Sequence, residues 1–562
     1  MPPDNASHNF ENLAQHLIRE HWDFFPTAAS RIGHHEYDGQ LPDLSRSSLR
    51  RRVEELHRGL ARLSAIDDQS LGLEDRLSYQ ALQLFLKREV FTLTELRPLE
   101  SNPMCQVGYL NVSGYVRRDY APLADRLRSA TQALMQVPDF LEVLISAQAQ
   151  ELGRPILEMS IESYAGMARF YRKDLANAVA DFNDGAVLAE FNRAREAAAS
   201  ALDRFVAGLQ ARLRWSADDF AIGSRLFASM LATAEGVDVP LAELAALGQA
   251  NLDANLETVA ELAASLSTTN GSTGWGPGRS VPEIVAEIGR QHPSSEALIP
   301  ATRDMLEDLR QALIDLDVIS IPSEDRCLVM ETPTYMRYAF AAMDSAGALE
   351  TRATESFYYV TPVEPDWTSL QQEEWLSNFN YETLRIISIH EVFPGHFVHH
   401  LHNRYGRPVP LVNRVATSYA FTEGWAHYAE QMMVETEYAR GRVALQFTQA
   451  LEALVRNCRY MCAIWMHTQG MSVKEATRFF MDHAYMAELP ARREAQRGTF
   501  DPGYLNYTLG KLMILKLARD YRKEQGPAFT LKSFHDRLLS YGAPPLPLVR
   551  GAMLTEPGNS PI

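Results

Sequence analysis

Apolar residues recur at three- and four-residue spacing, with Arg and Glu between them, through most of this chain, and that period commits it to helices. It predicts helices over residues 49–63, 71–91, 122–149, 188–213, 241–266, 281–288 and 298–316. The run over 267–278, rich in Ser, Thr and Gly, interrupts the pattern and reads as a surface insertion. Two β-prone runs follow, 326–331 and 355–360, bounded by Pro322, Pro333 and Pro362. From Tyr381 the helical period returns over 381–404, 415–437, 441–469, 472–487 and 505–524. No segment repeats at a fixed period, which disfavours a solenoid. With 562 residues the chain exceeds a typical single domain, so two lobes or one large fold with a cleft are expected. A small sheet among helices has two uses: its edge can hold an extended peptide by backbone hydrogen bonds, or its strands pack beneath the helices.

Several function classes are disfavoured by charge and composition. The formal net charge of -17 opposes a nucleic-acid footprint and docking on an anionic membrane surface. No stretch approaches 18 uninterrupted apolar residues, so no membrane span is expected. The first residues carry neither a basic nor an apolar signal region, and four cysteines are too few for a disulfide framework. These features predict a cytoplasmic protein. Cys458 and Cys462, one helical turn apart, read as two buried small side chains on one helix face.

The chemistry concentrates at Ile389-His390-Glu391-Val392-Phe393-Pro394-Gly395-His396, followed by Phe397-Val398-His399-His400. An imidazole can hold a metal, and a carboxylate beside it can activate water. The spacing departs from H-E-x-x-H, because the fourth residue after His390 is Pro394. On a straight helix, residues six apart differ by roughly 240° in azimuth and cannot share a metal. Pro394 lacks an N–H and clashes with the preceding turn, while Gly395 adds freedom. A local bulge of two residues is therefore expected, turning His396 back to the second-ligand position. His400 is the next candidate, and His399 and His402 lie on the same turns.

A third ligand is expected from Thr422-Glu423-Gly424-Trp425-Ala426-His427-Tyr428-Ala429-Glu430, where Glu423, His427 and Glu430 share one helical face. One carboxylate would bind the metal and another would orient a ligand imidazole. Glu391 is the expected general base, taking a proton from a metal-activated water. The oxyanion that results needs a donor, for which His467, Arg497, Tyr504 and Tyr507 are candidates.

Together these residues resemble the DUF885 family, which in turn is similar to gluzincin-type zinc metallopeptidases. The resemblance spans nearly the whole chain. It rests on His390-Glu391-Val392-Phe393-Pro394-Gly395-His396 as an H-E-x-x-P-G-H signature and on Glu423 to Glu430 as an E-G-W-A-x-Y-x-E signature. The opening segment Phe25 to Asp38, the segment Arg459 to His467, then Glu494, Arg497, Pro502-Gly503, Tyr507, Gly510-Lys511 and the closing segment Phe534 to Leu546 also fit. Many members carry an Asp where this chain has Ala463, which weakens a catalytic assignment for His467. The resemblance implies a mainly α, two-lobed fold around a deep cleft, with a small β-sheet near the site. Within one unit spanning 1–562, it implies a helical lobe over 1–320 and a metal-binding catalytic lobe over 321–562. It also implies one zinc ion on His390, His396 and Glu423, and hydrolysis of short peptides or small amides. Two alternatives stay open: an inactive binding protein, and a non-haem iron enzyme using two His and one carboxylate.

Overall fold

The computed structural model describes residues 3–268, 279–333, 337, 340–558 and 560–562. Of the interruption expected at 267–278, residues 269–278 lie outside the described residues. The chain is mainly helical with one three-stranded sheet, and it separates into two compact units. Among the described residues, no helix is long and apolar enough to cross a membrane.

The first unit comprises Met1–Thr233 with the segments Pro333–Tyr338 and Ala346–Glu355. Its core forms where helices Leu123–Ala147, Arg154–Arg172 and Gly185–Arg212 bury their apolar stripes together, among them Leu127, Leu134, Leu157, Phe191 and Leu202. Helices Arg46–Ser64 and Leu73–Phe91 are joined by a buried ion pair. Arg52 Nε donates to Glu89 Oε1 at 2.7 Å and its Nη2 to Oε2 at 3.1 Å, while His21 Nδ1 meets Glu89 Oε2 at 2.9 Å.

The second unit comprises Ala234–Thr332, Ala339–Ser345 and Ser356–Ile562. The boundary thus falls near 233, where the sequence suggested 320. The cause is helix Leu241–Thr268, which packs along Val443–Thr468. A Cβ on Gly248 would lie 2.4 Å from Tyr460 Cδ1, and the Tyr460 hydroxyl donates to Leu244 O at 2.9 Å.

The sheet of this unit runs β1 (Leu328–Glu331), β2 (Ala341–Asp344) and β3 (Phe357–Val360), in the order β1-β3-β2. Strand β1 is parallel to β3 and β2 is antiparallel to it. The sequence indicated β1 and β3 but not β2, whose Ala341-Ala342 pair has no β-branched residue to mark it.

Six helices carry the site. They are α1 (Tyr381–Glu391), α2 (His396–Tyr405), α3 (Tyr419–Glu435), α4 (Val443–Thr468), α5 (Glu488–Phe500) and α6 (Asn506–Gln525). The single helix expected over 381–404 is two. Helices α3 and α6 approach until their backbones touch, and glycines make this possible. A Cβ on Gly424 would sit 2.5 Å from Gly510 Cα, and one on Gly510 would sit 1.8 Å from Ala420 O.

Candidate metal centre

Asn380 starts α1, its side-chain oxygen accepting the Thr383 N–H at 2.9 Å. The helix delivers His390 and Glu391 and then stops. Val392 and Phe393 both donate to Ser388 O, at 2.9 and 3.1 Å, and Gly395 donates to Ile389 O at 2.9 Å. Hydrogen bonds of growing span replace the regular ladder until α2 begins at His396. Only glycine fits at 395, because a Cβ would lie 1.6 Å from His390 O. Trp425, fully buried on α3, donates from Nε1 to Pro394 O at 3.0 Å and clamps the break. The expected bulge is therefore a full interruption, and it too brings His396 beside His390, with ring centroids 4.9 Å apart and planes at 88°.

Three carboxylates surround these imidazoles with different partners. Glu430 Oε1 lies 2.7 Å from His390 Nδ1. A carboxylate only accepts, so Nδ1 carries a proton and Nε2 is the nitrogen that faces Glu423 and could serve a metal. Glu423 Oε2 lies 3.4 Å from His390 Nε2 and 3.5 Å from His396 Nε2, and it is buried without a hydrogen-bond partner. With metal–ligand bonds of about 2.0–2.2 Å, tetrahedral ligand atoms stand about 3.4 Å apart. Both distances from Glu423 Oε2 thus match the spacing of two ligands on one small cation.

Glu391 also brings an oxygen within 4.8 Å of both imidazoles. Its Oε2 already accepts the Met343 N–H at 2.9 Å, whereas the buried Glu423 oxygen has no donor. Glu423 is therefore the better candidate for a third ligand, and Glu391 keeps one oxygen clear of the Met343 contact.

The electrostatics of the pocket favour a positive charge. Burial disfavours an ionised Glu423, yet His396 and His390 hold its carboxyl well below the ordinary range. Burial likewise opposes a charged His390, but Glu423 and Glu430 raise its pKa to about 9. Behind His390, Arg456 Nη2 donates to Glu430 Oε1 at 3.0 Å and His427 Nδ1 to Glu430 Oε2 at 3.2 Å. Lys511 of α6 lies buried in the same charged cluster, its pKa pushed down to about 8 by burial against the pull of Glu430.

The four candidate donors part company here. Tyr507, on the first turn of α6, lies 6.2 Å from His390 between ring centroids. Burial, and then the Glu423 charge, raise its pKa. Arg497 of α5 donates from Nη2 to Tyr419 Oη at 3.0 Å and to Asp501 at 3.1 Å, and reaches Tyr507 Oη at 3.4 Å. Arg459 lies 5.0 Å from the Tyr507 ring centroid and pairs with Glu494 at 2.7 and 2.8 Å. Tyr504 is instead fully buried with its hydroxyl 3.9 Å from Met466 Sδ, and His467 Nε2 donates to Gly498 O at 2.7 Å. Among the other histidines, His399 meets Gly542 O at 3.2 Å and His402 meets Ser320 O at 2.9 Å. Cys458 and Cys462 are free and buried.

Sequence reasoning did not single out Met343, Tyr419 or Arg456, which come from segments without a motif, and it named Lys511 only as part of the Gly510-Lys511 match. An ion-pair search between α3 and α4 would have raised Arg456, the basic residue facing Glu430.

Comparison with known proteins agrees on the fold. A solved structure described as "a putative lipoprotein of unknown function" from Shewanella oneidensis superposes with a TM-score of 0.80 at 22% identity, over 97% of this chain and 99% of that one. Another, described as a "putative lipoprotein" from Colwellia psychrerythraea, gives 0.78 at 14% identity over 98% of each chain. No curated protein matches this chain. The family described as "Bacterial protein of unknown function (DUF885)" matches residues 26–553, so the chain belongs to that family.

Proposed function

We propose that this protein is a metal-dependent hydrolase, most simply a zinc peptidase or amidase acting on short peptides or small amides. The observation that carries this reading is Glu423 Oε2. It is a buried carboxylate oxygen without a hydrogen-bond donor, at ligand–ligand distance from two imidazole nitrogens, beside a second carboxylate with an oxygen to spare. In this reading His390, His396 and Glu423 hold the ion, which when bound lowers the pKa of water and polarises a carbonyl. Glu391 takes the water's proton on its spare oxygen and passes it to the departing amine. Tyr507 donates from its hydroxyl to the developing oxyanion, and Arg497 and Arg459 keep that phenol in place. Glu430 holds the His390 tautomer.

The test is a dipeptide and tripeptide library assayed with and without a chelator, on wild type and Glu391→Gln. We expect about one equivalent of zinc in both proteins and chelator-sensitive hydrolysis by wild type. The variant should fall by about 10²–10⁴-fold, the range of a general base. Undiminished hydrolysis by a zinc-loaded Glu391→Gln protein would refute the mechanism. A protein that takes up no metal when zinc is supplied would be a binding protein instead, and iron-dependent oxygen consumption would indicate an oxygenase.

A further inference from the structure

The small sheet touches α1 at two points. Tyr358 of β3 meets Ser388 with its hydroxyl 3.2 Å from Oγ, one turn before the end of the helix. Met343 of β2 donates its backbone N–H to Glu391 Oε2 at 2.9 Å. The ladder explains why this N–H is available. Thr361 N donates to Phe340 O at 3.0 Å, and the antiparallel register pairs Ala342 with Tyr359 and Asp344 with Phe357. In such a ladder alternate residues turn their N–H and C=O toward the partner strand. Residues 340, 342 and 344 face β3, so Ala341 and Met343 face outward. The order β1-β3-β2 makes β2 an edge, leaving its outward groups without a strand. One of them binds Glu391.

Glu391 needs such a tether. It is the last residue of α1, so the helix supplies no further turn beyond it. A free glutamate end rotates through several rotamers, whereas proton transfer needs a fixed direction. One oxygen held by a main-chain N–H fixes the carboxylate plane and aims the other oxygen. We propose that the outward backbone N–H of Met343 is the positioning group for the Glu391 carboxylate, so that β2 serves to aim the base rather than only to pack. This inference rests on the hydrolase reading above.

Because the donor is main chain, the test must remove an N–H. Proline at 343 does this at an outward edge position, where no ladder bond is lost. A second variant carries an ester in place of the 342–343 peptide bond, removing the N–H with little change of shape. Ala341→Pro strains the strand equally but spares the donor. We expect both variants at 343 to bind one equivalent of zinc and to keep KM, while kcat falls about tenfold or more, the usual cost of a hydrogen bond to a charged group. Ala341→Pro should keep the wild-type kcat. An ester variant with wild-type kcat, alongside an inactive Glu391→Gln, would overturn this inference and leave the hydrolase reading standing. Full activity in Glu391→Gln would overturn the reading itself, and with it the role given to Met343.

Discussion

Glu430 is fully buried and still ionised. Burial pushes its carboxyl pKa up, but Arg456, His427 and His390 hold it well below the ordinary range. Its charge is therefore a fixed part of the pocket, and it keeps the proton of His390 on Nδ1. Replacing it by glutamine preserves size but removes the charge and turns an N–H₂ group toward at least one of the three donors that point at the carboxylate. Glu430→Gln should weaken metal binding about 10–100-fold, the usual effect of losing a carboxylate behind a ligand imidazole. Competition against a chromophoric chelator measures this, and an unchanged Kd in a variant of normal circular dichroism would refute it. His390, Glu391, His396, Glu423 and Glu430, which the structure brings together, were all named from the sequence because each belongs to a short motif. Arg456 was not, since its partner lies on another helix and neither period encodes the pairing. Tyr507 and Tyr504 were both named, but residue type alone could not tell the tyrosine near His390 from the one packed against Met466.

Helices α3 and α6 cross where Gly424 meets Gly510, next to Glu423 on one helix and Lys511 on the other. The crossing therefore sets the depth at which the third carboxylate sits. A methyl group at 510 would meet the Ala420 carbonyl oxygen at 1.8 Å and Gly424 Cα at 2.7 Å. Both are backbone atoms, so no rotamer change relieves the clash and the helices must part. Gly510→Ala should cost about 3 kcal/mol or more, at or above the upper end for overpacking. Its zinc affinity should fall as well, because Glu423 moves with α3. A melting temperature within one degree of wild type would show that the crossing yields freely. The element scale also shows where sequence reading stops. The helices named from their apolar period lie close to their true ends, but Pro3–Phe24 and Arg154–Arg172 were not named. Strand β2 and helix α5 were not, and β2 supplies Met343 while α5 supplies Arg497. The break after α1 was read as a bulge, because Pro394 announces an interruption but not its length, which Trp425 and the Gly395 contact decide.

At the scale of the whole molecule, the two units carry different kinds of buried charge. In the second, buried charge surrounds the candidate metal centre and is shared among several groups. In the first, the buried Arg52–Glu89 pair joins two helices outside that centre. Burial works against the Glu89 carboxylate, but His21 and Arg52 bring its pKa down to about 2, from an ordinary 4.5. A carboxyl whose pKa falls on folding adds stability above its unfolded value and loses it as pH drops toward the folded one. The contribution is thus fully present at pH 7, begins to fade below about 4.5, and is gone near 2. A shift of this size corresponds to about 3 kcal/mol. Glu89→Gln, which leaves Arg52 buried without its counter-charge, should cost about 3–5 kcal/mol at pH 7. For a unit of roughly 250 residues, at about 2–4 °C per kcal/mol, that lowers its melting temperature by at least about 6 °C. Calorimetry of wild type and variant from pH 7 to pH 2.5 measures the difference. The gap between the two melting curves should narrow steadily as the pH falls below 4.5, and a gap independent of pH would mean that the pair contributes by packing rather than by charge.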